Sequence, residues 1–391
     1  MDNFKTKDTF LEGKKIALAL SGGIDSIVLL HYLHTHYPNN LRAIHCNHHL
    51  SKHCTEWATF CLTQCQSLNI PCTNIDLHLE KRSNIEENAR KKRYHSLSYN
   101  LTENEVLCTA HHQNDQAETL LLQLFRGSGV AGLASMPRIK PFGKGVHYRP
   151  LLNIEKTTIL KYAKNHHLSW IEDDSNTNTR FQRNFLRLNI LPKLETTYKK
   201  LTQSLARSAK HQSEALQLTQ DLATIDIKTH QLIHNNRLNT KPLMKLKPYR
   251  IKNIIRHHLN SLKFLPPSDK VMHQILALLS AKKDTNPMVS WGIFTIRRYS
   301  NELYFINTQA KPKANNCPYY AEFKNNNNFS IRYRNEGQRI KLPNKTHTQS
   351  LKKVLQEAGI PPWERNTLKM YYIANELQAM ERIGYMTHAK Q

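Results

Sequence analysis

A short apolar run, Lys15-Ile-Ala-Leu-Ala-Leu20, passes straight into Ser21-Gly-Gly-Ile-Asp-Ser26 and then into a helix-forming stretch, Ile24 to His34. An unbroken apolar run is what a strand buried on both faces requires, and paired glycines permit a tight turn from it into a helix. Three similar units follow. The strand candidates Leu41–Cys46, Cys72–Leu77 and Val106–Ala110 precede helical patterns over Lys52–Leu68, Ile85–Leu97 and Asp115–Leu124. Strands alternating with helices at this spacing predict an α/β fold, a doubly wound parallel sheet, for the N-terminal part of the chain. Ligands of such sheets lie beyond the carboxyl ends of the strands. Ser21, His45, His111 and His112 fall at those ends.

Glycine is scarce, 12 in 391 residues, so its placement is informative. Five of the twelve lie in the first loop and in Arg126-Gly-Ser-Gly-Val-Ala-Gly132. In the first loop, Gly22 and Gly23 let backbone N–H groups approach an anion at a helix N-terminus, and Ser21 and Ser26 add hydroxyl donors. Asp25 would repel a phosphate on its own, so its presence suggests Mg2+ bridging carboxylate and phosphate. No Lys follows the glycines, which excludes the other common phosphate loop, G-x-x-x-x-G-K-[ST].

Charge divides the chain. Residues 1–190 hold 23 basic and 17 acidic side chains, whereas residues 191–391 hold 33 and 13. The first part has the balance of an ordinary enzyme domain; the second has the surplus of a surface that grips a polyanion. Lys245, Lys247, Arg250, Lys252, Arg256, His257 and His258 with Tyr249, then Arg297, Arg298 and Tyr299, mix cations with aromatics as RNA recognition requires. A helix is expected over Lys193–Leu222, helical segments over Leu243–Leu279, a hairpin over Val289–Ile306, a linker over Lys311–Asn328 and a helix at Leu351–Ala358. Trp363, after Pro361-Pro362, is read as core packing. No apolar run approaches the ~20 residues that span a bilayer, and the start, MDNFKTKDTF, lacks a signal-peptide core. A cytoplasmic protein with no membrane partner is expected. Cys54, Cys61 and Cys65 sit at helical spacing and no C-x-x-C pair occurs, so the thiols are read as core residues.

The Ser21–Ser26 string resembles the pyrophosphate loop of N-type ATP pyrophosphatases. Further segments resemble tRNA(Ile)-lysidine synthetases in family order. His45-Cys-Asn-His-His-Leu50 is similar to an H-x-N-H-x-L block, and Glu86 to Tyr94 to an E-x-x-A-R-x-x-R-Y helix. His111-His-Gln-Asn-Asp-Gln-Ala-Glu-Thr119 resembles H-H-x-x-D-Q-x-E-T. Glu172-Asp-Asp-Ser-Asn176, Arg183-Asn184, Arg187 and Pro192 resemble E-D-x-S-N…R-N-x-x-R…P. Arg334-Asn-Glu-Gly337 and Leu351 to Arg365 resemble the family's terminal module. Cys46 and His49 depart from it, standing where an aliphatic residue and a glycine are more usual.

The resemblance implies a ligase that joins free L-lysine to the anticodon wobble cytidine of tRNA(Ile) with a CAU anticodon, using ATP and Mg2+. It implies ATP contacts from Ser21, Gly22, Gly23, Ile24, Asp25, Ser26, Asn47, His48, Arg90 and His111, with Asp25 also holding the metal. Asp115 and Glu118 would hold lysine, Arg183 and Arg187 would contact substrate, and Asp25, Asp115, Glu118 and His112 would form the catalytic group. Glu172, Asp173 and Asp174 are read as including a helix cap. The expected organisation is a catalytic domain over 1–190, a helical tRNA-binding domain over 191–310 and a small α+β tRNA-recognition domain over 316–391. Two other readings stand beside this one: a tRNA thiolation enzyme with the same loop, and a non-catalytic RNA-binding protein that keeps a nucleotide site.

Overall fold

The computed structural model describes residues 4, 6–49, 53–77, 85–172, 177–281, 286–309, 318–343, 345 and 347–386. The chain divides into two compact units, Met1–Leu218 and Thr219–Gln391. Asp173 to Asn176 and residues 311–317 of the expected linker lie outside the described residues.

The first unit runs β1 (Ile16–Leu20), α1 (Ile24–His36), β2 (Leu41–Asn47), α2 (Cys54–Ser67), β3 (Cys72–Asp76), α3 (Ile85–Tyr99), β4 (Val106–Cys108), α4 (Gln113–Phe125), α5 (Val130–Leu133), β5 (Ile139–Phe142), β6 (Gly145–Tyr148) and α6 (Lys156–Asn165). Then come α7 (Gln182–Phe185), a π-helical turn at Leu186–Ile190, α8 (Leu191–Thr197) and α9 (Leu201–Thr229), which continues into the second unit. The strand order is β3-β2-β1-β4-β6-β5. β1 pairs in parallel with both β2 and β4, Ile16 facing Leu41 on one side and Val106 on the other. Only β5 is antiparallel, on the edge beside β6.

The unbroken apolar run of β1 has its physical cause in two cores. Ile16, Leu18 and Leu20 pack with Ile27, Leu30 and Leu33 of α1, Cys61 and Cys65 of α2 and Ile159 of α6. Ala17 turns to the opposite face, where Leu97 of α3 joins Ile44 and Leu107. The doubly wound sheet expected from the sequence is thus present. Two readings change. The single helix over Lys193–Leu222 is broken at Tyr198–Lys200, where Lys200 adopts φ +61° and ends the α8 pattern before α9 begins. The β5–β6 hairpin was hidden by Pro141, Gly143 and Gly145, which interrupt any alternation.

In the second unit, β7 (Ile233–His234) and β8 (Arg237–Asn239) lead through α10 (Thr240–Leu243), α11 (Pro248–Ser261) and α12 (Asp269–Leu278) into β9 (Met288–Trp291), β10 (Phe294–Tyr299) and β11 (Glu302–Asn307). The expected hairpin is a three-strand meander within a five-stranded sheet, ordered β7-β8-β11-β10-β9, whose core is shared with α11 and α12. The described end of the expected linker instead holds α13 (Pro318–Phe323). The remaining chain forms β12 (Phe329–Arg332), β13 (Arg339–Ile340), β14 (Gln349–Ser350), α14 (Leu351–Glu357), α15 (Pro362–Arg365), β15 (Met370–Ile373), β16 (Glu376–Met380) and β17 (Gly384–Tyr385). Trp363 does pack, edge-on against Tyr299 and Tyr304, with centroids 6.1 and 5.3 Å away.

A forked ion pair fastens β2 to the segment before β4. Arg42 donates from Nε and Nη2 to the Glu105 carboxylate at 2.6 and 2.8 Å, and from Nη2 to the Asn100 carbonyl at 2.7 Å. Glu105 is 2% exposed. Burial pushes its pKa up, but Arg42 and the Thr102 donors outweigh that and hold it below the usual carboxylate value. Arg42→Ala should therefore destabilise the protein by about 2–3 kcal/mol in urea unfolding; a fully buried pair would cost more, but Arg42 is partly solvated. Because the folded pKa is depressed, the stabilisation is complete above the unfolded carboxylate value, about 4.3, and is lost as pH falls through the lowered one. The acid loss of stability should accordingly be shallower in Arg42→Ala than in the wild type.

Candidate active site

The carboxyl ends of β1 and β4 mark the point where strand order reverses, and the expected site residues collect there. The Ser21–Ser26 loop is closed by its own serines. Ser21 donates from N and from Oγ to Ser26 Oγ at 3.3 and 3.1 Å, and Ser26 Oγ donates to the Gly23 carbonyl at 2.9 Å. Gly22 has φ +83°, and its carbonyl accepts from Ile171 N at 3.0 Å. Gly23 caps α1 without any side-chain bond, so the first N–H groups of that helix, from Ile24 onward, remain available for an anion.

Asp25 stands in the first turn of α1 and pairs with Lys156, Nζ to Oδ1 2.6 Å. Sequence reading missed Lys156. It lies 131 residues away, and its only local signal is a position at the start of an amphipathic helix. Asp25 is a loop carboxylate that a divalent cation could share with phosphate oxygens, and in this structure Lys156 Nζ occupies its Oδ1. Among the described residues, no group of three or more His, Cys, Asp or Glu side chains is arranged as a metal site.

His112 is the N-cap of α4 in a reciprocal arrangement with Asp115. His112 Nδ1 accepts from Asn114 N at 3.2 Å, and His112 N donates to Asp115 Oδ2 at 2.9 Å. His112 Nε2 lies 3.7 Å from Asp25 and 3.6 Å from Asp115. One histidine therefore links the loop carboxylate to the α4 carboxylate. Burial pushes Asp115 up, yet the facing His112 and His111, the His112 N–H and Arg183 prevail and bring it down to about 2.

Asp115 and Glu118 share one face of α4, as their spacing predicts, and arginines already hold them. Arg187, on the π-helical turn, donates from Nε and Nη2 to Glu118 at 2.7 and 3.0 Å and from Nη2 to Asp115 Oδ1 at 3.2 Å. Arg183 lies 3.6 Å from Glu118 and donates to Thr119 Oγ1 at 2.9 Å. Glu118 is fully buried, and burial raises its pKa against the opposing pull of Arg187. Asp115, 8% exposed, is the carboxylate a ligand can reach.

The other expected contacts lie around this centre. His45 Nδ1 bonds the Leu20 carbonyl at 2.9 Å, tying β2 to the end of β1. Asn47 is buried and accepts from His49 N at 3.0 Å. His49 adopts φ +52°, a left-handed conformation that glycine takes with least strain. Burial, aided by Arg93, brings His48 down to about 4. His111 bonds Thr109 Oγ1 at 2.7 Å, and burial brings it down to about 3, so it is neutral at pH 7. Arg90 is exposed and lies over the Tyr94 ring at 5.0 Å, with no ion pair to Asp115 or Glu118. Glu172 is exposed.

Part of the basic group expected to meet RNA is structural. Arg298 Nη1 donates to the carbonyls of Leu278, Leu279 and Ala281 and so closes the end of α12. Arg250 pairs with the buried Asp226, and His258 is buried against Phe305. Lys245, Lys247, Tyr249 and Arg256 remain exposed.

The sheet and its loop define a PP-loop domain, and that family matches residues 2–194. The TilS substrate binding domain matches residues 238–304 and the TilS substrate C-terminal domain residues 329–391. The chain is 36% identical to the tRNA(Ile)-lysidine synthase of Coxiella burnetii, covering 96% of this chain and 90% of that one. It is 35% identical to the tRNA(Ile)-lysidine synthase of Nitrosomonas europaea, covering 95% and 88%. It therefore belongs to the tRNA(Ile)-lysidine synthase family and is a ligase with an ATP-binding PP-loop. Among solved structures, the U34-tRNA thiolase of Methanococcus maripaludis aligns with TM-score 0.45 and 19% identity, over 54% of this chain and 74% of that one.

The two loop glycines should respond differently to a methyl group. A Cβ on Gly22 would lie 2.9 Å from Ile171 Cδ1 and 3.1 Å from Cys61 Sγ at a positive φ, whereas on Gly23 the nearest atom is 3.7 Å away. Gly22→Ala should cost about 1–3 kcal/mol in thermal or urea unfolding, and Gly23→Ala only a few tenths. Equal costs would contradict the loop geometry described here.

Proposed function

We propose that the protein converts the wobble cytidine of a CAU-anticodon tRNA(Ile) to lysidine, consuming ATP and free L-lysine and releasing AMP and pyrophosphate. The observation that carries this reading is the joining of the phosphate loop, through Asp25 and His112, to the buried carboxylates of α4. Activation and amine capture would then take place side by side.

In the first step the cytidine C2 oxygen attacks the α-phosphorus of ATP, and the bond to the pyrophosphate oxygen breaks. Such a transfer depends on positioning and charge neutralisation. The free N–H groups of α1, with Ser21 and Ser26, suit the departing pyrophosphate, and Lys156 stands where a phosphate oxygen can replace Asp25 as its partner. Mg2+, when bound at Asp25, would supply further neutralisation of phosphate charge.

In the second step the lysine ε-amine attacks C2, the bond to the AMP oxygen breaks, AMP leaves with the bonding pair, and the amine gives up its proton to water. The α4 carboxylates divide their work. Glu118, sealed and forked by Arg187, positions that arginine; Asp115, still reachable, takes an ammonium of lysine. Asp115 stays ionised near neutral pH because its pKa is so low. The thiolation reading is weaker, because the sequence holds no C-x-x-C pair to carry sulfur or a cluster. The domain roles follow from charge and family matches: residues 1–190 for chemistry, 191–310 and 316–391 for tRNA.

AMP release measured with ATP, tRNA(Ile) transcript and lysine tests the reading directly. Release should require all three, and lysine-independent or absent release would overturn it. Asp115→Asn should raise the KM for lysine at least ten-fold while tRNA affinity changes less than two-fold, about what loss of one charge-assisted contact gives. Equal losses in both would remove Asp115 from lysine binding.

A further inference from the structure

Four cations converge on one tyrosine at the β5–β6 side of the first unit. The Tyr94 ring has Arg90 at 5.0 Å, Arg93 at 5.9 Å and Lys140 at 5.9 Å from its centroid. Arg149 interacts with the same tyrosine and is 3% exposed, donating to the Pro137 carbonyl at 2.5 Å and approaching His147 Nδ1 at 3.4 Å. Its Nε, buried, has no hydrogen-bond partner. Among the described residues, none of the four has a carboxylate partner within ion-pair distance. The adjoining histidines do not help: His147 and His111 both bond Thr109 Oγ1, at 2.8 and 2.7 Å, and burial keeps both neutral.

Like charges gathered in a partly desolvated place repel, and they persist where an anion completes the arrangement. The Ser21–Ser26 loop is at the end of β1, whereas Lys140 and Arg149 lie on and just after strands β5 and β6, beyond β4 in the sheet. At about 4.8 Å per strand, β6 is roughly 10 Å from β1. Lys140 and Arg149 thus stand about two strands from the pyrophosphate loop, while Arg93 on α3 also faces Cys46 and His48 at the end of β2. Through His111 the cluster borders Asp115, where the target base would react.

We propose that Arg90, Arg93, Lys140 and Arg149, organised by Tyr94, bind a backbone phosphate of the RNA next to the target nucleotide. Arg149 and Tyr94 preorganise the site from within, while half-buried Lys140 and exposed Arg90 reach the phosphate. This rests on the tRNA reading above. An ATP phosphate is the other source of the same oxyanion, and the experiment separates the two.

The test uses the full-length protein and a tRNA(Ile) transcript, with binding followed by fluorescence anisotropy from roughly 50 to 200 mM KCl. Lys140→Gln should weaken transcript binding roughly five-fold and reduce the slope of log affinity against log salt by about 0.7–0.9, the loss of one phosphate contact. The KM for ATP should stay within two-fold, and Lys140→Arg should restore both binding and slope. Lys140→Glu should weaken binding further in the same direction, independently of how well Arg149 variants fold. Unchanged binding and slope with a raised KM for ATP would assign the site to the nucleotide and overturn the proposal. So would variants that alter thermal stability alone. Transcript binding needs no turnover, so failure of lysine-dependent AMP release in the wild type would strike the ligase reading and leave this result interpretable.

Discussion

The parallel pairing of β1 between β2 and β4 is the constraint on which the first unit depends. It places Leu20, Asn47 and Cys108 at one edge of the sheet, so the segments that follow them converge. Two cores hold that arrangement, because Ile16, Leu18 and Leu20 face α1 while Ala17 faces α3. A one-residue slip would exchange the large and small side chains between faces, so the register is strongly specified. His45, bonded to the Leu20 carbonyl, and the Arg42–Glu105 fork reinforce it at opposite ends of β2.

Upon that frame stands a chain of polar contacts: Lys156 to Asp25, Asp25 to His112, His112 to Asp115, and Arg187 across Asp115 and Glu118. The members come from α6, α1, α4 and the π-helical turn, so a ligand that displaces one contact alters the partners of the next. The sealed Glu118 anchors Arg187, whereas Asp115 keeps part of its surface exposed.

Much of this was legible in the chain, and for physical reasons. Apolar runs before Ser21, Asn47 and Thr109 mark strands buried on both faces, and the i, i+3 spacing of Asp115 and Glu118 places them on one face. Lys156 and Arg149 were not legible, since their meaning comes from residues 131 and 55 positions away and no local pattern announces a long-range ion pair. Arg298 misled because a cation that caps a helix through three carbonyls looks, in sequence, like one that faces a phosphate. The expected long helix failed at Lys200, where one residue of left-handed backbone outweighs the propensity on both sides.

The central claim is that loop, carboxylates and basic second unit cooperate to attach lysine to one cytidine. Mass spectrometry of nucleosides from a tRNA(Ile) transcript incubated with the protein, ATP and lysine tests it most directly. The account predicts a cytidine heavier by one lysine less one water, formed only when all components are present. Unmodified cytidine, or a nucleoside that has gained sulfur when a sulfur donor is supplied, would contradict it.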